Sequence, residues 1–355
     1  MSAKDCILIT GAAGFIGTSL RRAIRTDLPL IGIDSFVADV HPYAIRDVDS
    51  INLEILYPGN VLDSDLMDTI LSDWHPKIVV HLAAETGTGV SAVQQARHVS
   101  NNSLGTARLL EALERNGRIP ETVILSSSRA VYGDGLWLDN EGDVKSAVPR
   151  TALDLKNEIW NPRSPDGDVL VRPVPQSAAH LPNPANVYAL TKYSQEKLVQ
   201  FWCDRLDAKY QILRFQNVYG PGQSAHNPYT GIVNVFGNIA SSGAAIPVYE
   251  DGQILRDFIF IDDIVSGIQT FMLNPELESG IYDLGSGVPT TILDLANLVS
   301  SYHEAEQPKI TSNYRFGDVR SAFASADSRP PGWLPRVPLE DGIRQTLAWL
   351  STQTS

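Results

Sequence analysis

Tyr188 and Lys192, in the stretch "NVYALTKYSQEKLVQFW", are the two side chains best placed by spacing to move a proton. The stretch has helical periodicity, and a separation of four residues puts both on one helix face. A free phenol has a pKa of ~10, too high for an effective base at neutral pH. A neighbouring ammonium favours the phenolate. The pair can then take a proton from a substrate hydroxyl while hydride leaves the same carbon. Upstream, Ser126, Ser127 and Ser128 close the apolar run "TVIL". A hydroxyl at a strand end can bond the oxygen that becomes a carbonyl, and Ser128 is assigned that place. Ser126 and Ser127 fall nearer to where a cofactor would lie, unless they only satisfy backbone groups at the strand end.

A hydride needs an acceptor, and the stretch "CILITGAAGFIGT" provides a place for one. Cys6 to Ile9 form an apolar run with the look of a buried strand. Gly11, Gly14 and Gly17 follow at spacing three and three, and a helical pattern begins behind them. A strand that breaks at glycine and restarts as a helix leaves backbone N–H groups free, and a pyrophosphate can approach them where no Cβ intervenes. Seventeen residues past Gly17, the run "LPLIGI" ends in Asp34, a strand-end carboxylate suited to an adenosine ribose. No arginine stands nearby to neutralise a 2′-phosphate, which favours NAD over NADP.

The elements that must position these groups emerge from a simple alternation. "LPLIGI", "KIVVHLAA", "ETVILSSS" and "YQILRF" are strand-like runs, each followed by polar or helix-like sequence. Such alternation predicts βαβ units and a parallel sheet, with ligands at the carboxyl ends of its strands. The unusual residues cluster there: Gly11 to Gly17, Asp34, Ala83 to Gly89, Ser126 to Gly133 and Gln216 to Gly222. After about residue 220 the elements shorten. "NPYTGIVNVFGNIASSG" and "TTILDLANLVSSYH" read as helices and "AIPVYEDG" as a strand and turn, which suggests a small C-terminal lobe. Residues 134–186, rich in Pro, Asp and Trp, are too long for an ordinary connection and read as a lid or functional loop, partly ordered by Trp137 and Trp160.

Composition sets the outer bounds. The 355 residues suffice for a large α/β domain with a small lobe, and 43% hydrophobic with 19% charged residues is ordinary for a globular chain. A formal net charge of −13 argues against nucleic-acid or anionic-membrane partners. Cys6 and Cys203 are the only cysteines, and Cys6 falls in an expected core strand, so a reducing compartment fits better than a disulfide framework. No signal peptide or membrane-length apolar run is present, and a cytoplasmic protein is expected.

Taken in order, "TGAAGFIG", "HLAAETGTG", "NNSLGTARLL", "SSSRAVYGDG", "YALTK", "LRFQNVYGPGQS", "LRDFIFIDD", "YDLGSG" and "YRFGDVR" resemble an extended short-chain dehydrogenase/reductase of the nucleotide-sugar epimerase/dehydratase family. Within it, "HLAAETGTG", "SSSRAVYG" and "LRFQNVYGPGQSAHNPYTGI" are most similar to dTDP-L-rhamnose 4-epimerases. The resemblance implies a Rossmann-type doubly wound parallel sheet with a smaller C-terminal α/β substrate lobe. Residues 1–215 would form the NAD-binding domain with 134–186 inserted. Residues 216–355 would form mainly the nucleotide-sugar lobe and return in part to the main domain. It also implies that Gly11, Gly14, Phe15, Ile16 and Gly17 hold the pyrophosphate of NAD and Asp34 its adenosine ribose. Asn60 and Val61 would lie beside the adenine. Leu82, Ala83 and Ala84 would flank the cofactor with Asn101 and Ser126 nearby, and Lys192 would bind the nicotinamide ribose. For the substrate, a nucleotide-diphosphate sugar, it implies Arg256, Arg315 and Asn217 at the diphosphate, Asp318 at the nucleotide ribose, and Val248 and Tyr249 at the base. Arg320 is a weaker candidate for the same pocket. Some close relatives carry a cysteine pair near "WNPRSPDG"; this chain has none there, and no metal is expected. A homodimer is implied by the family.

The two residues after Ser128 narrow the reaction. Dehydratases of the family carry an Asp-Glu pair there, which supplies the extra acid/base groups for removing water. Decarboxylating relatives place a Glu there. Here the positions are Arg129 and Ala130. A 4-epimerase needs only Ser128, Tyr188, Lys192 and room for a 4-keto ring to turn. Glu85 could contact a sugar hydroxyl or act on a neighbouring carbon.

Overall fold

In the computed structural model, residues 3–37, 53–224 and 231–353 are described. Seven parallel strands form the central sheet: β1 (Lys4–Thr10), β2 (Leu30–Asp34), β3 (Ile55–Pro58), β4 (Trp74–His81), β5 (Thr122–Ser128), β6 (Lys209–Phe215) and β7 (Gly280–Leu284). Their spatial order is β3-β2-β1-β4-β5-β6-β7. The strands are short, apolar and rich in Ile, Leu and Val because both sheet faces are covered. Side-chain alternation sorts them: Cys6 and Leu8 of β1 enter one apolar cluster, and Ile7 and Ile9 the other.

The first cluster packs β1, β2, β4, β5 and β6 against α2 (Ser64–Asp73), α3 (Gly105–Arg115) and α4 (Val187–Leu206). On the opposite face lie α1 (Phe15–Ala23) and α6 (Ile261–Leu273). This is the doubly wound Rossmann arrangement. The cluster on that opposite face runs on without a break into α5 (Ile232–Ser241), α7 (Ile292–His303) and α8 (Leu339–Ser351). These helices surround a small sheet in which Leu255–Phe260 pairs with Asn217–Tyr219, Pro289–Thr291 and Ser321–Ala322. The chain beyond residue 215 also returns to the central sheet, because β7 pairs along β6.

The inserted stretch folds. Leu136–Leu138 pairs antiparallel with Val144–Ser146 and with Arg172–Pro173, over a core of Trp137, Ala147 and Leu170. Trp137 is buried as its size suggests, whereas Trp160 is half-buried with its ring 6.4 Å from that of Tyr314. Polar contacts fasten the insertion to the C-terminal part. Arg150 pairs with Glu250 at 2.8 Å, Asp134 accepts from the Arg320 N–H at 2.6 Å, and Gln176 bridges to Ala324. No helix among the described residues is long and apolar enough to cross a membrane.

Candidate active site

The sheet order reverses between β1 and β4, and there a cleft of 890 Å³ opens at the carboxyl ends of the strands. One half of it is built by the glycine turn. Gly11 has φ +68°, and a Cβ on it would come within 2.9 Å of the Ala83 nitrogen. A Cβ on Gly17 would strike the Gly11 carbonyl. These close approaches let α1 start directly against β1, with Gly14 as an extended N-cap that has no side chain over the helix end. Asp34 ends β2 beside this turn. Its carboxylate accepts from the Ala13 and Phe36 N–H groups, both at 2.9 Å, so it fastens the glycine turn as well as facing the cleft. Bare backbone N–H groups at a helix start, with a carboxylate one strand away, fit a dinucleotide. Phe15, Ile16, Asn60, Val61, Leu82, Ala83, Ala84 and Asn101 line the same half. Across it Asn60 donates to the Asn101 amide oxygen at 3.1 Å.

The other half carries the acid/base groups. Asn186 caps α4 by accepting from the Ala189 N–H at 2.9 Å, which puts Tyr188 in the first turn and Lys192 one turn further on. Tyr188 lines the cleft together with Ser128, whose hydroxyl accepts from the Ala130 N–H at 3.2 Å. Burial pushes the Tyr188 phenol up, partly offset by the nearby Ser128 hydroxyl and the positive charge of Arg129. Lys192 lines the same cleft as Tyr188. Its Nζ donates to the Ser126 carbonyl at 2.7 Å, and burial pushes the ammonium down to about 7 against the opposing charge of Glu196. Ser126 donates to the His81 carbonyl at 3.1 Å. Ser127 turns inward and donates to Glu196 at 2.5 Å.

Glu85 lies in the cleft, ion-paired with Arg97 at 2.9 Å. Its backbone is held at both ends by Asn102, which accepts from the Glu85 N–H at 2.7 Å and donates to the Glu85 carbonyl at 3.0 Å. Asn102 also donates to Thr191 on α4 at 2.9 Å, tying the 82–87 loop to the helix that carries Tyr188. Sequence reasoning passed over Asn102. Its adjacency to Asn101 in "NNSLGTARLL" was the available signal.

The substrate candidates divide. Asn217 lines the cleft and accepts from the Arg129 Nε at 3.2 Å. Arg256 is buried and paired with Asp318 at 2.8 Å. Burial raises the Asp318 carboxyl, but Arg256, Arg129 and Arg150 together hold it below the usual carboxylate range. Arg315 is exposed, with its guanidinium 5.4 Å from the centre of the Tyr249 ring. Val248 has no exposed surface. Its side chain enters the core while its strand pairs with Lys309–Ile310, so this structure gives it no route to touch a base. Arg320 is committed to Glu250 and Asp251 at 2.9 and 2.7 Å and carries no spare charge for a phosphate. Sequence reasoning noted Arg129 for the acid it replaces. In the structure it lines the cleft between Ser128, Tyr188 and Asn217.

Comparison with known proteins agrees with this fold. The profile of the NAD-dependent epimerase/dehydratase family matches residues 7–165 and 167–285. A dTDP-L-rhamnose 4-epimerase of Burkholderia thailandensis is 38% identical over 98% of this chain and 95% of its own length. A dTDP-D-glucose 4,6-dehydratase of Dictyostelium discoideum is 30% identical over 82% of this chain and 61% of its own length. Among solved structures, a UDP-glucose 4-epimerase of Thermotoga maritima with UDP-glucose superposes with a TM-score of 0.77, at 26% identity, over 99% of this chain and all of that one. The chain is thus a member of the NAD-dependent epimerase/dehydratase family.

Proposed function

We propose that this chain is an NAD-dependent nucleotide-sugar 4-epimerase acting on a dTDP-6-deoxyhexose such as dTDP-L-rhamnose. The observation that carries the reading is that Ser128, Tyr188 and Lys192 line one cleft with the glycine turn and Asp34, with Arg129 and Ala130 after Ser128 where a dehydratase needs acids. When bound, NAD supplies a two-electron acceptor that takes a hydride and gives it back. Tyr188 accepts the proton of the C4 hydroxyl as C4 is oxidised, and Ser128 holds the oxygen that becomes the C4 ketone. After the ring turns so that C4 presents its opposite face to the returning hydride, Tyr188 gives the proton back to the same C4 oxygen. Nothing is lost from C5 or C6, and no net redox change occurs. The similarity to the Burkholderia enzyme supports the choice of nucleotide and sugar.

A deuterium label tests the course. Substrate deuterated at C4, turned over in ordinary water with catalytic NAD, is expected to give product inverted at C4 with the label still there. Label found at C6 with loss of water would mean a dehydratase, and solvent hydrogen at C3 or C5 would implicate Glu85. A panel of dTDP- and UDP-hexoses in the same assay identifies the nucleotide and the sugar.

The cofactor preference is tested at Asp34. A carboxylate facing a 2′-phosphate repels it, so NAD is expected to bind more tightly than NADP. Asp34→Asn keeps one acceptor for the glycine turn and removes the charge. It is expected to narrow the ratio of the two Kd values by roughly tenfold. Calorimetric titration with both cofactors measures it, and equal affinities in the unmutated protein would refute the role.

A further inference from the structure

The inserted stretch and the C-terminal part meet around one buried guanidinium. Arg150 donates through Nη1 to the Trp160 carbonyl at 3.0 Å and to Glu250 at 2.8 Å, and through Nη2 to the Asp318 carbonyl at 2.7 Å. The Glu250 N–H donates to the Asn313 carbonyl at 2.8 Å. Three segments far apart in the chain are thereby fixed side by side: the one carrying Trp160, the turn carrying Tyr249, and the loop of Tyr314, Arg315 and Asp318. The ion pair of Arg256 with Asp318 closes the same junction at 2.8 Å. Arg256 lies on the strand that pairs with Asn217–Tyr219, and Asn217 lines the cleft, so the junction stands one strand out from the sugar site.

What these segments bring to the surface is aromatic. The Trp160 and Tyr314 rings are 6.4 Å apart and inclined at 54°, and the Arg315 guanidinium is 5.4 Å from the centre of the Tyr249 ring. The rings do not bury one another: Tyr314 keeps 41% of its surface exposed, and Trp160 and Tyr249 are half-buried. Among the described residues no acceptor meets the Trp160 indole N–H, and no carboxylate pairs with Arg315. The nearby carboxylates are taken, Glu250 by Arg150 and Arg320, Asp251 by Arg320 and Asp318 by Arg256. An open π-face stacks on a heterocyclic base, and a guanidinium without a counter-charge pairs with phosphate oxygens. Side by side, they suit a planar base joined to a diphosphate. We propose that Trp160, contributed by the insertion, stacks on the base of the nucleotide, with Tyr314 as the second aromatic face and Arg315 beside them at the diphosphate. The insertion then forms a wall of the nucleotide site.

This inference rests on the substrate being a nucleotide sugar, but its test needs no turnover. Calorimetry on the NAD-bound protein with dTDP and with UDP selects the tighter of the two. Trp160→Ala is expected to weaken that binding by roughly 5- to 150-fold, the range of one lost base–aromatic stack. Trp160→Phe keeps a π-face and loses much less, whereas Trp160→Leu keeps only apolar bulk and falls with the Ala variant. NAD affinity stays unchanged in all three. With 5-fluorotryptophan at the six tryptophans, the Trp160 fluorine signal is identified by its loss in Trp160→Phe, and it is expected to move as the nucleotide is added. Should Trp160→Ala not fold, Tyr314→Ala, at an exposed position, is expected to weaken binding as well. Unchanged nucleotide affinity in Trp160→Ala or its substitute overturns the proposal. So does a Leu variant that binds as well as the Phe variant, or a fluorine signal that stays in place at saturation. Each of these outcomes leaves the nucleotide bound by the unmutated protein and the proposed substrate class intact. A protein that bound neither dTDP nor UDP would instead refute that substrate class, and this inference with it.

Discussion

Tyr188→Phe is expected to lower turnover by ~10²–10⁴, the usual cost of losing a positioned general base. The substitution removes one oxygen from a ring that is otherwise held by packing, on a helix whose cap at Asn186 is untouched. The glycine turn and Asp34 lie in the other half of the cleft, so NAD affinity should stay close to that of the unmutated protein. Steady-state rates on the nucleotide sugar, paired with calorimetric NAD binding and a thermal melt, separate the effects. Near-normal turnover in a folded, NAD-binding variant would take Tyr188 out of the mechanism. Weak NAD binding would mean that the phenol supports the cofactor more than the chemistry.

Arg214→Met is expected to destabilise the fold by about 3–5 kcal/mol, a large share of the stability of any domain. Arg214 on β6 meets Glu196 on α4 through two hydrogen bonds of 2.8 and 2.7 Å, and both side chains are almost wholly buried. The guanidinium also lies over the Tyr132 ring at 4.7 Å. Removing the arginine leaves a carboxylate deep in the core, with the Ser127 hydroxyl still donating to it but no cation beside it. The penalty comes from the orphaned charge rather than from a lost attraction. Arg214→Met combined with Glu196→Met should therefore recover much of the loss. Chemical denaturation of the single and double variants measures it. A double variant no more stable than the single would show that the pair, and not the stranded charge, carries the effect.

The central sheet was legible because its signals are local. Ile, Leu and Val runs ending in Gly11, Asp34 and Ser126–Ser128 announce buried parallel strands and their functional ends without any distant information. Gly280–Leu284 is different. "GIYDL" is short and half polar, and it becomes a strand of this sheet only because β6 offers it a partner. The two-residue strand at Ser321–Ala322 likewise exists through pairing, not propensity, whereas Pro247–Val248 falls in "AIPVYEDG", which reads as a strand and turn. At the site, spacing placed Tyr188 and Lys192 on one face but could not say where a four-carbon stem would end, which proves to be the Ser126 carbonyl. Arg129 was weighed for the acid it replaces, since its bond to the Asn217 amide oxygen joins residues far apart in the sequence. Val248 was placed at the base, with Tyr249, by the family resemblance, whereas the structure turns its side chain into the core.

The return of the chain to β6 also bears on how the protein is made. Sixty-nine residues separate Phe215 from Leu284, the last residues of the paired strands. A ribosome needs about 3–14 s to add them. Until Leu284 has emerged, Gln211–Phe215 presents a row of unpaired backbone groups on a strand whose Ile212 and Leu213 are fully buried in the finished molecule. Such an exposed edge is a template for pairing with other chains. A polypeptide stopped at residue 215 would carry this edge permanently, and it should aggregate rather than persist as a free nucleotide-binding fragment.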